Sequence, residues 1–406
     1  MDTRSTHLPA LDGLRAVAVF TVIVYHFGVT AVPGDLGVSA FFVLSGFLIT
    51  WLLLKEHAVA GTVSLRRFYA RRMLRIFPAY YAFLAVSFAI DHIRGQPWGT
   101  SLGLSSLFYV VNYYNALNGH PTTSITHAWS LAIEEQFYLL WPVLLLVLLR
   151  GGTRRAARTL AVVIVAVVLW RTVLYAGFHV GSAYVYNAFD TRFDNLAVGC
   201  LLALTATTRA FDAAAARLSF SPLAPLATLV LLVVSRAAIG TTWHYTAGFT
   251  VDAVLVAVFI VQMLRLYRTR LWAWLETPVV RYLGTISYPM YLWHMWGVGV
   301  GYHFRVAGKV GEFVAGVLAC IALATGSYFV IERPFLKLKR RFEPGARAPG
   351  PTRIGTPGEQ SASATGSAVQ AATPSMESSD GSASPGNAGF PDTAPPGDRT
   401  SAPAFP

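Results

Sequence analysis

Two side chains in the first apolar run of this sequence, Arg15 and His26, need a reason to be there. An ionisable group inside an apolar span is costly and marks a candidate for function. The two are eleven residues apart. Eleven helical steps make three turns and roughly 20° more, so both face one side, roughly 16 Å apart along the axis. A guanidinium at the mouth of such a segment suits a phosphate. An imidazole deeper in suits general acid–base work. A plainer reading is a snorkelling arginine and a core histidine bonded to a neighbouring helix.

A second group opens another apolar span, His127-Ala128-Trp129-Ser130-Leu131-Ala132-Ile133-Glu134-Glu135-Gln136-Phe137-Tyr138. His127 and Glu134 share a face if the helix is continuous there. Two adjacent carboxylates, Glu134 and Glu135, exceed what a helix cap needs. They could orient or charge a histidine, or bind a substrate hydroxyl. A third group, Arg66, Arg67, Arg71, Arg72 and Arg75, forms a basic loop before the span that begins near residue 76. It reads as a topology anchor, or as a cradle for phosphates. Arg192 and Asp194 stand at the start of a later span. They are two apart and cannot face each other on a helix, so each must pair elsewhere, as structural ions or as part of a site. His294 sits within the ninth span, where packing and substrate binding are both open readings. The remaining histidines, among them His7, His120 and His244, fall in termini, loops or interfaces and read as solvated.

The elements that must position these residues are membrane helices. The chain has 406 residues, 54% hydrophobic and 13% charged, against roughly 25% charged in an ordinary soluble protein. Its apolar runs are long and continuous rather than alternating, which selects helices over a barrel. Ten spans are expected, near 13–31, 37–54, 76–91, 128–149, 159–177, 191–207, 221–238, 248–264, 283–302 and 312–331. The stretch 101–117 reads as an amphipathic or re-entrant segment. Basic residues fall almost entirely on one set of loops, which predicts that both termini are cytoplasmic. The net charge of +12 reflects this and not nucleic-acid binding. Gly37, Ser39, Ser45 and Gly46 place small residues in one span, a signal of close helix packing.

The N-terminal run resembles a secretory signal, but Asp12, Arg15 and His26 within it argue against cleavage. Cys200 and Cys320 both lie in apolar spans and read as small buried side chains. No metal pattern is present in the sequence. Residues 342–406, rich in Gly, Ser, Pro and Ala, read as a disordered tail after a membrane domain over 1–341. The last histidine is His303, so no appended hydrolase-like domain with a Ser–His pair is expected.

The ordered motifs resemble the acyltransferase 3 family of bacterial membrane O-acyltransferases over about 7–340. They are Leu11-Asp12-Gly13-Leu14-Arg15 followed by His26, Phe41-Phe42 with Ser45-Gly46-Phe47, and Arg72, Arg75 and Pro78. Trp129-Ser130 with Glu134-Glu135-Gln136-Phe137-Tyr138 follow, then Ser287, Tyr291 and His294, then Glu332-Arg333-Pro334. The resemblance implies transfer of an acyl group, commonly acetyl, from acyl-CoA to a hydroxyl of a carbohydrate, a glycolipid or a secondary metabolite such as a macrolide. It implies that His26 is catalytic with Glu134 and Glu135 in support. Arg15, Arg72 and Arg75 would serve the donor, and Arg192, Asp194 and His294 are candidates for substrate binding. The setting implied is the cell membrane, crossed many times, with no metal and no nucleic-acid partner. Arginine far outnumbers lysine, which points to a GC-rich genome and tilts the acceptor toward an antibiotic-type molecule. A transporter or flippase for a glycan or lipid-linked substrate would also suit ten spans with buried charges. No inverted repeat is visible to support it. A non-catalytic membrane partner would leave the ordered motifs without a role.

Overall fold

The computed structural model describes residues 9–342, apart from 122 and 238–239. The expected tail over 342–406 and His7 fall almost wholly outside the described residues. Every regular element among the described residues is helical, as backbone in a lipid environment requires. In chain order they begin with α1 (Pro9–His26), α2 (Gly34–Ala60), α3 (Leu65–Ile93), α4 (Thr100–Leu107), α5 (Val111–Asn118) and α6 (Trp129–Leu149). Next are α7 (Thr153–Thr172), α8 (Ser182–Asn187), α9 (Phe189–Arg192), α10 (Asp194–Thr205), α11 (Arg209–Leu218) and α12 (Ala224–Ala237). The last are α13 (Thr241–Trp243), α14 (Phe249–Leu266), α15 (Pro278–Thr285), α16 (Ser287–His303), α17 (Gly308–Ser327) and α18 (Arg333–Lys339).

Among the described residues, six helical stretches are long and apolar enough to cross a membrane, or seven if the bent pair α10 and α11 counts as one. Their outward faces carry exposed aliphatic side chains, such as Val162, Val165 and Leu169 on α7 and Val314 and Leu318 on α17. Such a surface is stable against lipid and not against water. The basic segment over 66–75 is not a loop. Ser64 caps α3, accepting a hydrogen bond from the Arg67 amide, and the helix runs on from Leu65 into the apolar span. Good helix formers, with Arg and Leu dominant, carry it through. The uncertain stretch 101–117 is two short helices, α4 and α5, joined at Tyr109. This pair is tied down by Tyr80, which donates to the Ser106 carbonyl at 2.8 Å. Gln136 adds bonds to the Tyr109 carbonyl and Asn112 Oδ1, both at 2.8 Å.

The centre of the fold is the contact between α2 and α10. A Cβ at Gly46 would strike the Leu196 carbonyl, and one at Gly199 would strike the Val43 carbonyl. The backbones therefore approach as only glycine permits. Asn195 Nδ2 donates to Ser39 Oγ across this seam at 3.1 Å. Helix α1 is seated similarly against α15 and the turn before it, through Gly284 and Gly13. This fixes the axis on which Arg15 and His26 ride.

Adding a methyl at the α2–α10 seam forces rigid backbone apart. Gly199→Ala should lower stability by about 1–3 kcal/mol, the usual cost of overpacking. Gly103→Ala, where a Cβ meets nothing, should be close to neutral. Thermal unfolding of the two variants in detergent checks the difference.

Candidate active site

Helix α1 lies along three cavities that adjoin end to end. The first is a basic vestibule, lined by Arg15, Arg71, Arg72, Arg75 and Lys339, with Asp12 as an acidic member. Arg15, Arg72 and Arg75 also line the second, middle cavity, with Ser45, Glu134 and Glu135. Val38 and Tyr291 pass from the middle cavity into the third, far cavity, where His26 lies. The middle cavity thus borders both the vestibule and the far cavity, sharing wall residues with each.

The basic residues divide by partner. Arg71 is held by Glu56 at 2.9 Å and by the Phe342 carbonyl at 2.8 Å, which makes it a fastening between α3, α2 and the end of the chain described here. Arg15 meets Asp12 at 3.7 Å. Arg72 lies with its guanidinium 4.7 Å from the Tyr138 ring, a cation–π contact. Arg15, Arg72 and Arg75 therefore present cationic groups where two cavities meet.

The acidic pair on α6 faces the middle cavity. Ser45 Oγ donates to Glu134 Oε1 at 2.9 Å, and Tyr138, one turn on, donates to Glu134 Oε2 at 3.4 Å. Glu135 lines the same cavity. Gln136, the third polar residue of the run, instead fastens α5. Sequence reasoning placed Tyr138 in a motif without giving it a role. Its spacing of four from Glu134 was the available signal.

His26 closes α1. Its Nδ1 is 2.8 Å from the Val22 carbonyl. A carbonyl oxygen only accepts, so Nδ1 carries the hydrogen and Nε2 keeps its lone pair. That is the tautomer a general base needs at Nε2. The ring lies 4.8 Å from that of His294, and His294 lies 4.5 Å from His127. His294 is fully buried, with its Nδ1 2.7 Å from the Tyr291 carbonyl. His127 belongs to this imidazole row and to the far cavity, whereas Glu134 faces the middle one. The turn before Trp129 is a tighter 3-10 turn, which breaks the continuous helix that a shared face would need. Tyr291 joins the two regions: its hydroxyl is 2.5 Å from Ser130 Oγ and donates to the His127 carbonyl at 3.2 Å.

Arg192 and Asp194 line none of these three cavities. Asp194 is fully buried and accepts from Arg171 NH1 at 3.3 Å and from Thr250 Oγ1 at 2.5 Å. Arg192 lies with its guanidinium 3.7 Å over the Phe249 ring. Asp194 is thus paired with other helices, as its spacing required, whereas the buried Arg192 guanidinium meets aromatic rings and none of its three nitrogens has a hydrogen-bond partner. His120 and His244, expected to be solvated, line the far cavity with Asp35 and Arg236.

Removing Arg171 strands a buried carboxylate, at a cost of about 3–5 kcal/mol. Arg171→Met should therefore fall sharply in thermal unfolding in detergent. Arg171→Met with Asp194→Asn should regain most of the loss, because the charge goes with its partner.

The family model described as an acyltransferase domain, acyltransferase 3, matches residues 8–332. The O-acetyltransferase OatA of Staphylococcus aureus strain NCTC 8325 is 31% identical over 354 residues, covering 82% of this chain and 57% of that protein. The OatA of strain COL matches to the same extent. The chain thus spans a little under three-fifths of the length of these curated relatives. No solved structure matches the chain. With a family match over nearly all its described residues and several helices long and apolar enough to cross a membrane, the chain is a multi-pass membrane protein that belongs to the acyltransferase 3 family.

Proposed function

We propose that the chain is an O-acyltransferase that carries an acyl group, acetyl in the first place, from acyl-CoA to a hydroxyl-bearing acceptor. The observation that carries the reading is the placement of a basic vestibule and an imidazole base on one helix, joined by adjoining cavities. Acyl-CoA is anionic through its phosphates, and the vestibule offers Arg15, Arg72 and Arg75. Guanidinium groups bind phosphate by paired, charge-assisted hydrogen bonds. The thioester arm then lies in the middle cavity, past Ser45 and Glu134, and brings its carbonyl toward His26. In this reading Glu134 and Glu135 order the basic groups around the arm, and His294 packs against the base. The donor is made in the cytoplasm, so the vestibule end is the cytoplasmic one. The loop charges support the same orientation, which in this reading puts both ends of the membrane domain, 1–341, on the cytoplasmic side of the cell membrane with ten crossings between them.

The acceptor enters the far cavity. His26 Nε2 takes the hydroxyl proton as the oxygen attacks the thioester carbonyl. The new C–O bond forms, the C–S bond breaks, and the proton passes from His26 to the departing thiolate. The relatives' name, O-acetyltransferase, supports acetyl as the group carried. A carbohydrate, a glycolipid or a macrolide-like metabolite each offers a suitable hydroxyl.

The test uses purified protein in detergent with acetyl-CoA and longer acyl-CoAs, following donor binding and turnover separately. Arg15→Ala should weaken donor binding by about tenfold or more, one phosphate contact's worth. His26→Ala should keep donor binding and lower turnover by about 10²–10⁴, the usual contribution of a general base. Wild-type protein that binds no acyl-CoA, or a fully active His26→Ala, sinks the reading.

A further inference from the structure

Tyr109, between α4 and α5, has a φ of 54°, a left-handed backbone that bulky residues rarely adopt. The conformation closes α4. The Val110 amide donates to the Ser105 carbonyl at 2.8 Å, and the Tyr109 amide donates to the Ser106 carbonyl at 3.3 Å. This pair of bonds is a common helix C-terminal cap, and glycine usually fills its left-handed position because it does so without strain. The cap alone therefore does not account for a tyrosine. The surroundings hold that tyrosine fast. Gln136 Nε2 donates to its carbonyl at 2.8 Å. Its buried ring stacks on Tyr80, with centroids 4.2 Å apart, and on Phe77 at 5.5 Å. Strained backbone persists only where its neighbours over-determine it, and it collects at functional sites.

The Tyr109 hydroxyl is buried and has no hydrogen-bond partner, a costly state for a polar group. The ionisable side chains that it interacts with electrostatically are Tyr288, Glu135, Tyr80 and Tyr81. The phenols among them give their hydrogens elsewhere. Tyr288 donates to the Ile76 carbonyl, Tyr80 to the Ser106 carbonyl and Tyr81 to the Leu107 carbonyl. Glu135 alone of the four is a carboxylate, the stronger acceptor. It is half-buried and lines the middle cavity. It also interacts electrostatically with Arg72, which lines the same cavity. Gln136, which clamps the Tyr109 backbone, is the next residue on α6. One helix thus supplies both the clamp on Tyr109 and the carboxylate beside its hydroxyl.

We infer that Tyr109 is a positioning residue for donor binding: its hydroxyl donates to the Glu135 carboxylate and holds that group beside Arg72. Tyr109 is immobilised by its clamp and its ring stack. The Glu135 side chain is long and stands at the cavity wall, so its rotation closes the bond. A tethered carboxylate then keeps the Arg72 guanidinium turned toward the place where the vestibule and the middle cavity meet. The inference rests on the acyl-transfer reading in naming the donor as the anion that Arg72 serves. The bond between Tyr109 and Glu135 does not depend on that reading and is tested without any donor.

The experiment has two arms, both on the purified full chain in detergent. The first is infrared spectroscopy without donor, in which the Glu135 carboxyl band is the one missing from Glu135→Met. Tyr109→Phe keeps the ring and loses only the hydroxyl, and it should shift that band. Tyr81→Phe also removes a phenol that interacts with Glu135, but one that donates elsewhere, and it should leave the band nearly in place. The second arm is equilibrium binding of radiolabelled acetyl-CoA. Tyr109→Phe should weaken it about tenfold, the value of one hydrogen bond to a charged group. Tyr109→Phe combined with Glu135→Met should bind no more weakly than Glu135→Met alone, because the two residues act as one unit. A band unmoved by Tyr109→Phe, or moved as far by Tyr81→Phe, overturns the inference, and so do binding losses that simply add. A shifted band in a protein that binds no acyl-CoA would keep the contact and remove the transfer reading. An unmoved band in a protein that binds acyl-CoA would do the opposite.

Discussion

A charge inside a protein bounded by lipid is tolerable only if another group meets it at close range, since the alternative is several kcal/mol of lost hydration. Much of this fold follows from how that demand is met. Asp194 is met by Arg171 and Thr250, which joins α7, α10 and α14. Asp35 is met by Arg236, which also holds Asp252, and so α2, α12 and α14 are joined at their ends. Arg71 is met by Glu56, which fixes α3 to α2. These ion pairs link separate helices, across 15 residues for Arg71 and Glu56 and 201 for Arg236 and Asp35. The glycine seams then decide how closely those helices can approach. Gly46 and Gly199 bring α2 against α10, so the residues of α2 that face the cavities, Val38 and Ser45, stand on a rigid support.

Within that frame the two ends of α1 are electrically unlike. At the Arg15 end the cations outnumber the acids around the vestibule, and Arg72 rests partly on an aromatic face instead of a carboxylate. At the His26 end the charges cancel within the wall. One helix therefore runs from a vestibule with excess cations to a cavity where Arg236 and Asp35 are paired, with roughly 16 Å between its two marker residues. The length suits a long, flexible carrier with a charged head and a reactive tip. A rigid small ligand could not contact both ends.

Part of this could be read in the sequence. Periodicity alone gave Arg15 and His26 a common face, and the absence of alternation gave helices. The spacing of Arg192 and Asp194 showed that they must pair with other helices, but not with which. Arg171 is 23 residues from Asp194, and Arg236 is 201 from Asp35. No local rule reaches such partners, because they are chosen by helix packing. The same limit hid His127 from its place beside His294, 167 positions away along the chain. A tight turn before Trp129 rotated it off the Glu134 face. The basic segment over 66–75 looked like a loop because its charges suggested an interface. Helix propensity and the Ser64 cap prevailed, and this is what lets Arg72 and Arg75, three apart and so neighbours on one face, look into the same cavity.

The partner of His26 carries the last step of the argument. Sequence reasoning offered a glutamate to raise the basicity of the histidine, and a carboxylate on Nδ1 would stabilise the imidazolium once formed. The Nδ1 hydrogen goes instead to the Val22 carbonyl, while Glu134 takes its bonds from Ser45 and Tyr138. A neutral carbonyl fixes the tautomer without supplying a counter-ion. In the proposed transfer the protonated ring would have no carboxylate on Nδ1. For acyl transfer that is an advantage. The base must take a proton from an alcohol and return it to a thiolate within one turnover, and a cation held too firmly would be slow in the second half. An imidazole whose Nδ1 hydrogen is fixed on a backbone carbonyl is matched to the proposed transfer, in which it holds a proton only briefly.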